Sequence, residues 1–265
     1  MLRELTRQDW LSILNLDERH VPVTLILRGT RNLRRNFEKY RRLFADPLEI
    51  GSPNGLFEDI VVGRIDGRQI GYASVYGPAM ASEIAHVFGV LGTRRVIQTG
   101  VCGALGEEMI AGDLVIAARA GCGEGAVQCY LPGVERVCAT PALVEQAAAL
   151  AGPQGTHIGP IWTTAALLAE GLDDLTRWKQ GGAIAVDMET ATTYGVAEWT
   201  GMEWISVLSI FDNPLAGAHI ALEESTKQEH REQGERRMLE VVLGLIARDP
   251  QAENRKPLQG NHRND

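Results

Sequence analysis

No stretch of the chain approaches the roughly 18 consecutive apolar residues of a membrane-spanning helix. The opening segment MLRELTRQDW lacks the apolar centre of a secretory signal. Basic residues are in the minority, 26 Lys and Arg against 34 Asp and Glu, for a formal charge of -8. That balance argues against a nucleic-acid or anionic-membrane partner, both of which reward a basic surface, and points to a small molecule instead. Cysteine is scarce: Cys102, Cys122, Cys129 and Cys138 include no CxxC pair, so no zinc or redox motif is signalled and no metal is expected. Reduced thiols in a cytoplasmic protein are the plain expectation.

What is present is ample apolar residue, 45% of 265 positions, enough for one large core. The β-branched runs VPVTLIL (21–27), IGYASVY (70–76), RVIQTG (95–100), DLVIAARA (113–120) and ISVLSIF (205–211) predict buried strands. Between them, 81–92 places Ile84, Val87, Phe88 and Leu91 on one helical face, 140–152 opens on Thr-Pro and stops at glycine, and 188–201 has helical period too. A last helix, about 225–246, carries Met238, Val241, Val242 and Leu245 on one stripe, as an outer layer would. Alternating strands and helices predict a single α/β domain, 1–248, with a mixed, mostly parallel central sheet flanked by helices and ligands at the carboxyl ends of the strands. The segment between Gly121 and Gly155 lacks clean period at its start and reads as an active-site loop or a surface excursion; residues 249–265, nearly free of apolar side chains, read as a flexible tail.

Four strand ends carry candidate chemistry. LILRGTRNLRR (25–35) runs a strand into Gly29 and then arginines, which suits an oxyanion as readily as it suits a solvated basic helix. QTGVCGALGEEMIAGD (98–113) sets Gly100, Gly103 and Gly106 after a strand, either for close ligand approach or simply for a tight turn. In AVDMETAT (185–192), Asp187 reads as a helix cap, whereas Glu189 could accept both hydroxyls of a ribose diol. In SIFDNP (209–214), Asp212 is either a proton donor at the mouth of a buried strand or part of a turn that caps its own backbone.

Taken together and in this order, the four resemble the nucleoside phosphorylase family of hexameric purine nucleoside phosphorylases, uridine phosphorylases and methylthioadenosine nucleosidases, over residues 20–246. VDMETATTYGVAEWTGMEWISVLSIFDNP is similar to the family's V-E-M-E-x-A segment running on to S-D, RVIQTGVCGAL to its I-R-x-G-S-C-G-A turn, and Gly29 with Arg34 to its G-D-P-x-R loop. The resemblance implies that Met188 and Glu189 hold ribose and that Asp212 protonates the base. It further implies that Gly29, Arg34, Gln98 and Gly100 bind phosphate, and that Cys102, Gly103, Leu167 and Phe211 surround a base that leans purine. It implies phosphorolysis to base and ribose 1-phosphate with inorganic phosphate as co-substrate, no other cofactor, and a homo-oligomer, a dimer or trimer of dimers. Gln98 replaces the family's arginine and Val101 its hydroxyl, Thr30-Arg31 stand for Asp-Pro, no arginine precedes Gly55, and Leu2 replaces a histidine for which His20 is the nearest substitute. Hydrolysis with Glu124 activating water, and binding without cleavage, therefore stand as alternative expectations.

Overall fold

The central strands are built from β-branched runs whose side chains are mostly buried on both faces, as strands covered by helices must be. The computed structural model describes residues 1–51, 55, 57–217 and 227–249. The expected strands are β1 (Thr24–Gly29), β4 (Arg68–Val75), β5 (Arg95–Ala104), β6 (Leu114–Gly123) and β10 (Glu203–Asp212). Five more join them: β2 (Ala45–Ile50), β3 (Ile60–Ile65), β7 (Arg136–Cys138), β8 (Thr156–Thr164) and β9 (Ala185–Asp187).

The ladders β1–β4, β1–β5, β5–β10 and β6–β8 are parallel, and antiparallel pairing enters through β3, β2, β7 and the two short joins β10–β6 and β5–β9. The strands β5, β10, β6, β8 and β9 pair in a cycle, so this half of the sheet closes on itself, while β1, β4, β3 and β2 extend from β5 as an open wing. The wing ends at β2, where Asp46 takes a left-handed φ of 51° and the register slips between Ala45 and Leu48 around Pro47.

Helices cover both faces. In α3 (Gly77–Leu91), Ile84, Val87, Phe88 and Leu91 are all buried, and Gly92 ends the helix at φ 94°, a conformation that costs glycine nothing. Helix α5 (Pro141–Ala151) follows Thr140 with proline in its first turn, and α7 (Thr190–Thr200) stops at Gly201. Met238, Val241, Val242 and Leu245 of α8 (Gln228–Ala247) are buried in the core cluster that includes β10, the outer-layer packing expected of it. The arginine-rich segment forms α2 (Leu33–Arg41), whose buried Phe37 and Tyr40 dock on the sheet, Tyr40 stacked on Tyr72 at 4.5 Å.

The excursion after Gly121 is neither an irregular active-site loop nor a free surface loop. β6 continues to Gly123, a short helix α4 (Val127–Tyr130) follows, and β7 returns to pair with β6 before α5 begins. Two of the glycines that hid this order are steric fits, a Cβ on Gly121 or Gly123 falling 2.5 and 2.4 Å from Trp162, whereas Gly125 and Gly133 supply left-handed turns at φ 85° and 79°. Of the expected tail, Asp249 is buried beside Arg95 at 3.6 Å, and 250–265 lie outside the described residues. Among the described residues no helix is long and apolar enough to cross a membrane.

Candidate active site

The strand β5 changes partners along its length. Arg95 to Thr99 pair with β1, whereas Gly103 and Ala104 pair with β9, so β1 and β9 part company beside Gly100, Val101 and Cys102. Where neighbouring strands diverge at their carboxyl ends, a sheet opens a crevice. A cleft of about 1110 Å³ occurs there, lined among others by Gly29, Cys102, Gly103, Leu167, Met188, Glu189, Phe211 and Asp212.

Glu189 precedes α7 and is almost fully buried. Its carboxylate accepts a hydrogen bond from the Gly77 N–H at 2.8 Å, at the amino end of α3, where the helix dipole favours negative charge. Gly29 is glycine because of this carboxylate: a Cβ there would stand 2.5 Å from Glu189 Oε2. Asp187 is the cap that the sequence suggested. It accepts hydrogen bonds from the Thr163 hydroxyl at 2.7 Å, from the Thr190 N–H and hydroxyl at 2.8 and 2.6 Å, and from the Glu189 N–H at 3.2 Å. Burial pushes both acids upward. Those donors oppose the rise at Asp187, whereas at Glu189 the neighbouring Asp187 charge adds to burial and the carboxyl is pushed up to about 8.

The folded protein therefore keeps a proton on Glu189 that the unfolded chain, with an ordinary carboxyl near 4.5, releases earlier. This contribution to stability is full below about 4.5 and is lost as pH rises toward about 8. The melting temperature should fall between pH 5 and 8.5, and Glu189→Gln should flatten that dependence; equal slopes for the two proteins would show that Glu189 does not set it.

Asp212 stands opposite Gly103 in the β5–β10 ladder, after a register shift that passes over Phe211. Such a bulge re-aims the side chain that follows it, and Asp212 Oδ1 would be 3.2 Å from a Cβ on Gly103. The turn is closed by Asn213, whose amide donates to Gly106 O at 2.7 Å and whose oxygen accepts from Ala216 N. Cys102 donates weakly to Ser209 O at 3.9 Å, and burial pushes its thiol well up, which keeps it an inert wall. Phe211 lines the cleft with Arg231 against its outer face, 3.8 Å from the ring centre.

Several expected residues do not reach the cleft. Arg34 points to the surface, paired with Glu38 at 2.5 Å and Asp59 at 3.2 Å. Gln98 is wholly buried beneath the floor, its amide donating to Thr99 O and accepting from the Thr193 hydroxyl. Gly100 is a close-approach position, where a Cβ would lie 3.1 Å from Gly29 O. Glu124 caps α4 and ties it to α7, accepting from Val127 N and the Thr192 hydroxyl at 3.0 Å each, away from the cleft. His20 lies in a short 3-10 turn and does not line the cleft.

Other residues take the wall that Arg34 vacates. Arg28, Arg31, Arg35, Lys39 and Arg42 all line it. Arg28 is 2% exposed and pairs with Glu235 of α8, which also holds Lys39 at 2.5 Å. Burial alone would raise the Glu235 carboxyl, but Arg28 and Lys39 hold it below the usual range. Arg31 lies over the Tyr76 ring at 5.0 Å. Sequence reasoning saw these arginines only as a run; the partner that orients Arg28 is over 200 residues away. Glu170, also missed, lines the cleft beside the Leu167–Ala169 turn. Among the described residues no three His, Cys, Asp or Glu side chains gather as a metal site would require.

A family model described as the phosphorylase superfamily matches residues 32–247. The purine nucleoside phosphorylase, DeoD-type, of Alkaliphilus metalliredigens is 26% identical over 170 residues, covering 61% of this chain and 72% of that protein. That of Bacillus cytotoxicus is 27% identical over 169 residues, covering 63% and 69%. The crystal structure of uridine phosphorylase from Vibrio fischeri superposes with a TM-score of 0.74 at 18% identity, covering 87% of this chain and 95% of that one.

Proposed function

This chain belongs to the phosphorylase superfamily, and on that premise we propose that it cleaves the N-glycosidic bond of a nucleoside by phosphorolysis, giving free base and ribose 1-phosphate, with a purine as the base. Breaking that bond builds positive charge on the ribose ring and negative charge on the departing base, so the site needs an acid at the base and an anion beneath the sugar. The observation that carries the reading is the shared cleft of Glu189, Asp212 and the arginine wall. Glu189, with Met188 beside it, accepts the ribose hydroxyls, Asp212 protonates the base, and Gly29 with Arg28, Arg31 and Arg35 holds phosphate as the nucleophile. Cys102, Gly103, Leu167 and Phe211 form the apolar surround of the base.

The inward turn of Gln98 and the outward turn of Arg34 favour a second reading, in which water replaces phosphate. Base release from a panel of nucleosides, followed with and without inorganic phosphate, decides between them. Release that requires phosphate supports phosphorolysis, release indifferent to it supports hydrolysis, and no release with thermal stabilisation by a nucleoside leaves a binding protein. If phosphorolysis holds, replacing both Arg31 and Arg35 by alanine should raise the KM for phosphate about 10- to 100-fold, the loss of one or two charge-assisted hydrogen bonds. An unchanged KM would remove that wall from the phosphate site.

The chain needs no cofactor besides phosphate in this reading. It acts as a homo-oligomer, a dimer or trimer of dimers, which sedimentation would test, and works in the cytoplasm, where its four free cysteines stay reduced.

A further inference from the structure

Glu170 stands between the Leu167–Ala169 turn and the start of α6 (Leu172–Gln180), half-buried in the cleft wall near Leu167, Leu175 and Phe211. One of its carboxyl oxygens is shut off from solvent and has no hydrogen-bond partner. The charged groups that act on it are Asp212 from β10 and Asp174 from α6, both negative, and the cations lining the cleft come from β1, the turn after it and α2. A buried carboxyl oxygen with neither cation nor donor is costly until something supplies an N–H.

We propose that Glu170 selects the base, its carboxylate accepting a hydrogen bond from an exocyclic amino group, so that the cleft favours aminopurine nucleosides over 6-oxopurine nucleosides and over uridine. This rests on the nucleoside-cleaving reading above. In a purine the 6-substituent adjoins the imidazole nitrogen that Asp212 would protonate, so two neighbouring carboxyl groups span one edge of the ring. An amino group at that edge donates to Glu170. A carbonyl there, in hypoxanthine or uracil, sets lone pairs against lone pairs. Sites built to accept a ligand N–H reject analogues lacking it more strongly than apolar pockets reject a change of shape. Burial, with Asp212 and Asp174 adding to it, pushes the Glu170 carboxyl up to about 7, so its neutral form can donate to a carbonyl in acid and discrimination should sharpen as pH rises from 6 to 8.

The test compares kcat/KM for adenosine, inosine and uridine in the wild-type protein, Glu170→Gln and Glu170→Ala, with melting temperatures to establish that each variant is folded. The wild type should prefer adenosine by about tenfold or more, and Glu170→Gln, whose amide donates as well as accepts, should bring adenosine and inosine close to equality. A wild-type ratio near one, or a preference that survives in both folded variants, overturns the proposal and leaves the cleavage reading intact. If no nucleoside is cleaved, that reading fails by itself; calorimetric binding of free adenine and hypoxanthine then decides, with an adenine preference lost in Glu170→Gln supporting the assignment and equal binding sinking it.

Discussion

Asp212→Asn is expected to lower kcat by about 10²- to 10⁴-fold while leaving the KM for nucleoside within a few-fold of its starting value, the signature of a lost general acid. The expectation follows from how the carboxyl group is placed. The shift in register between Ile210 and Asp212 brings it against Gly103 in the wall of the cleft. Asparagine keeps the shape and one acceptor but cannot deliver a proton. Substrates whose leaving base is already a good anion should lose least. A uniform fall across bases, or a rise in KM with kcat held, would assign Asp212 to binding instead.

The second large effect is on stability. Asp187→Ala removes the acceptor for two hydroxyls and two backbone N–H groups, all buried. Leaving even two of these donors unsatisfied costs on the order of 3 kcal/mol, or roughly 6–12 °C in melting temperature for a domain of this size. The same change withdraws the negative neighbour that helps to raise Glu189, so the pH at which stability declines should move down. A melting temperature within a degree or two of wild type would mean that the carboxylate does not organise the start of α7.

Glu189 and Asp212 also show how far the site is legible without the structure. Both are legible because each ends an apolar run and begins a turn or helix, and because their neighbours resemble a family segment. Arg34 misled for a physical reason: on α2 the buried stripe is Phe37 and Tyr40, which sets the helix so that Arg35 and Lys39 line the cleft while Arg34 pairs with Glu38 and Asp59. A one-residue difference along a helix is 100° of rotation, and only the docked helix fixes it. Arg28 and Glu170 owe their character to segments far off in sequence, Glu235 for the first and Asp212 for the second.

The strands divide similarly. β1, β4, β5, β6 and β10 are continuous β-branched runs and were read as such. β8 is interrupted by Gly159 and Pro160, β9 is three residues long, and β2 contains Asp46 and Pro47, so each is held by its neighbours rather than by its own composition. Ile60–Ile65 carries the ordinary strand signal and belongs with the first group, although it was not among the runs read as strands.

The wing's outer strand has a bearing on how the protein behaves at high concentration. A sheet rim with a straight row of unused amides is where a second molecule can add and fibres can start. Within the cycle β5, β10, β6, β8 and β9 each have partners on both flanks, the three-residue β7 beside β6 offers only a short edge, and on the other side the kink at Asp46-Pro47 bends β2 and deletes one amide hydrogen. Growth by simple addition to the native rim of the described residues is thereby discouraged, and clumping would have to start from molecules that have already opened, at a pace set by how often they do so.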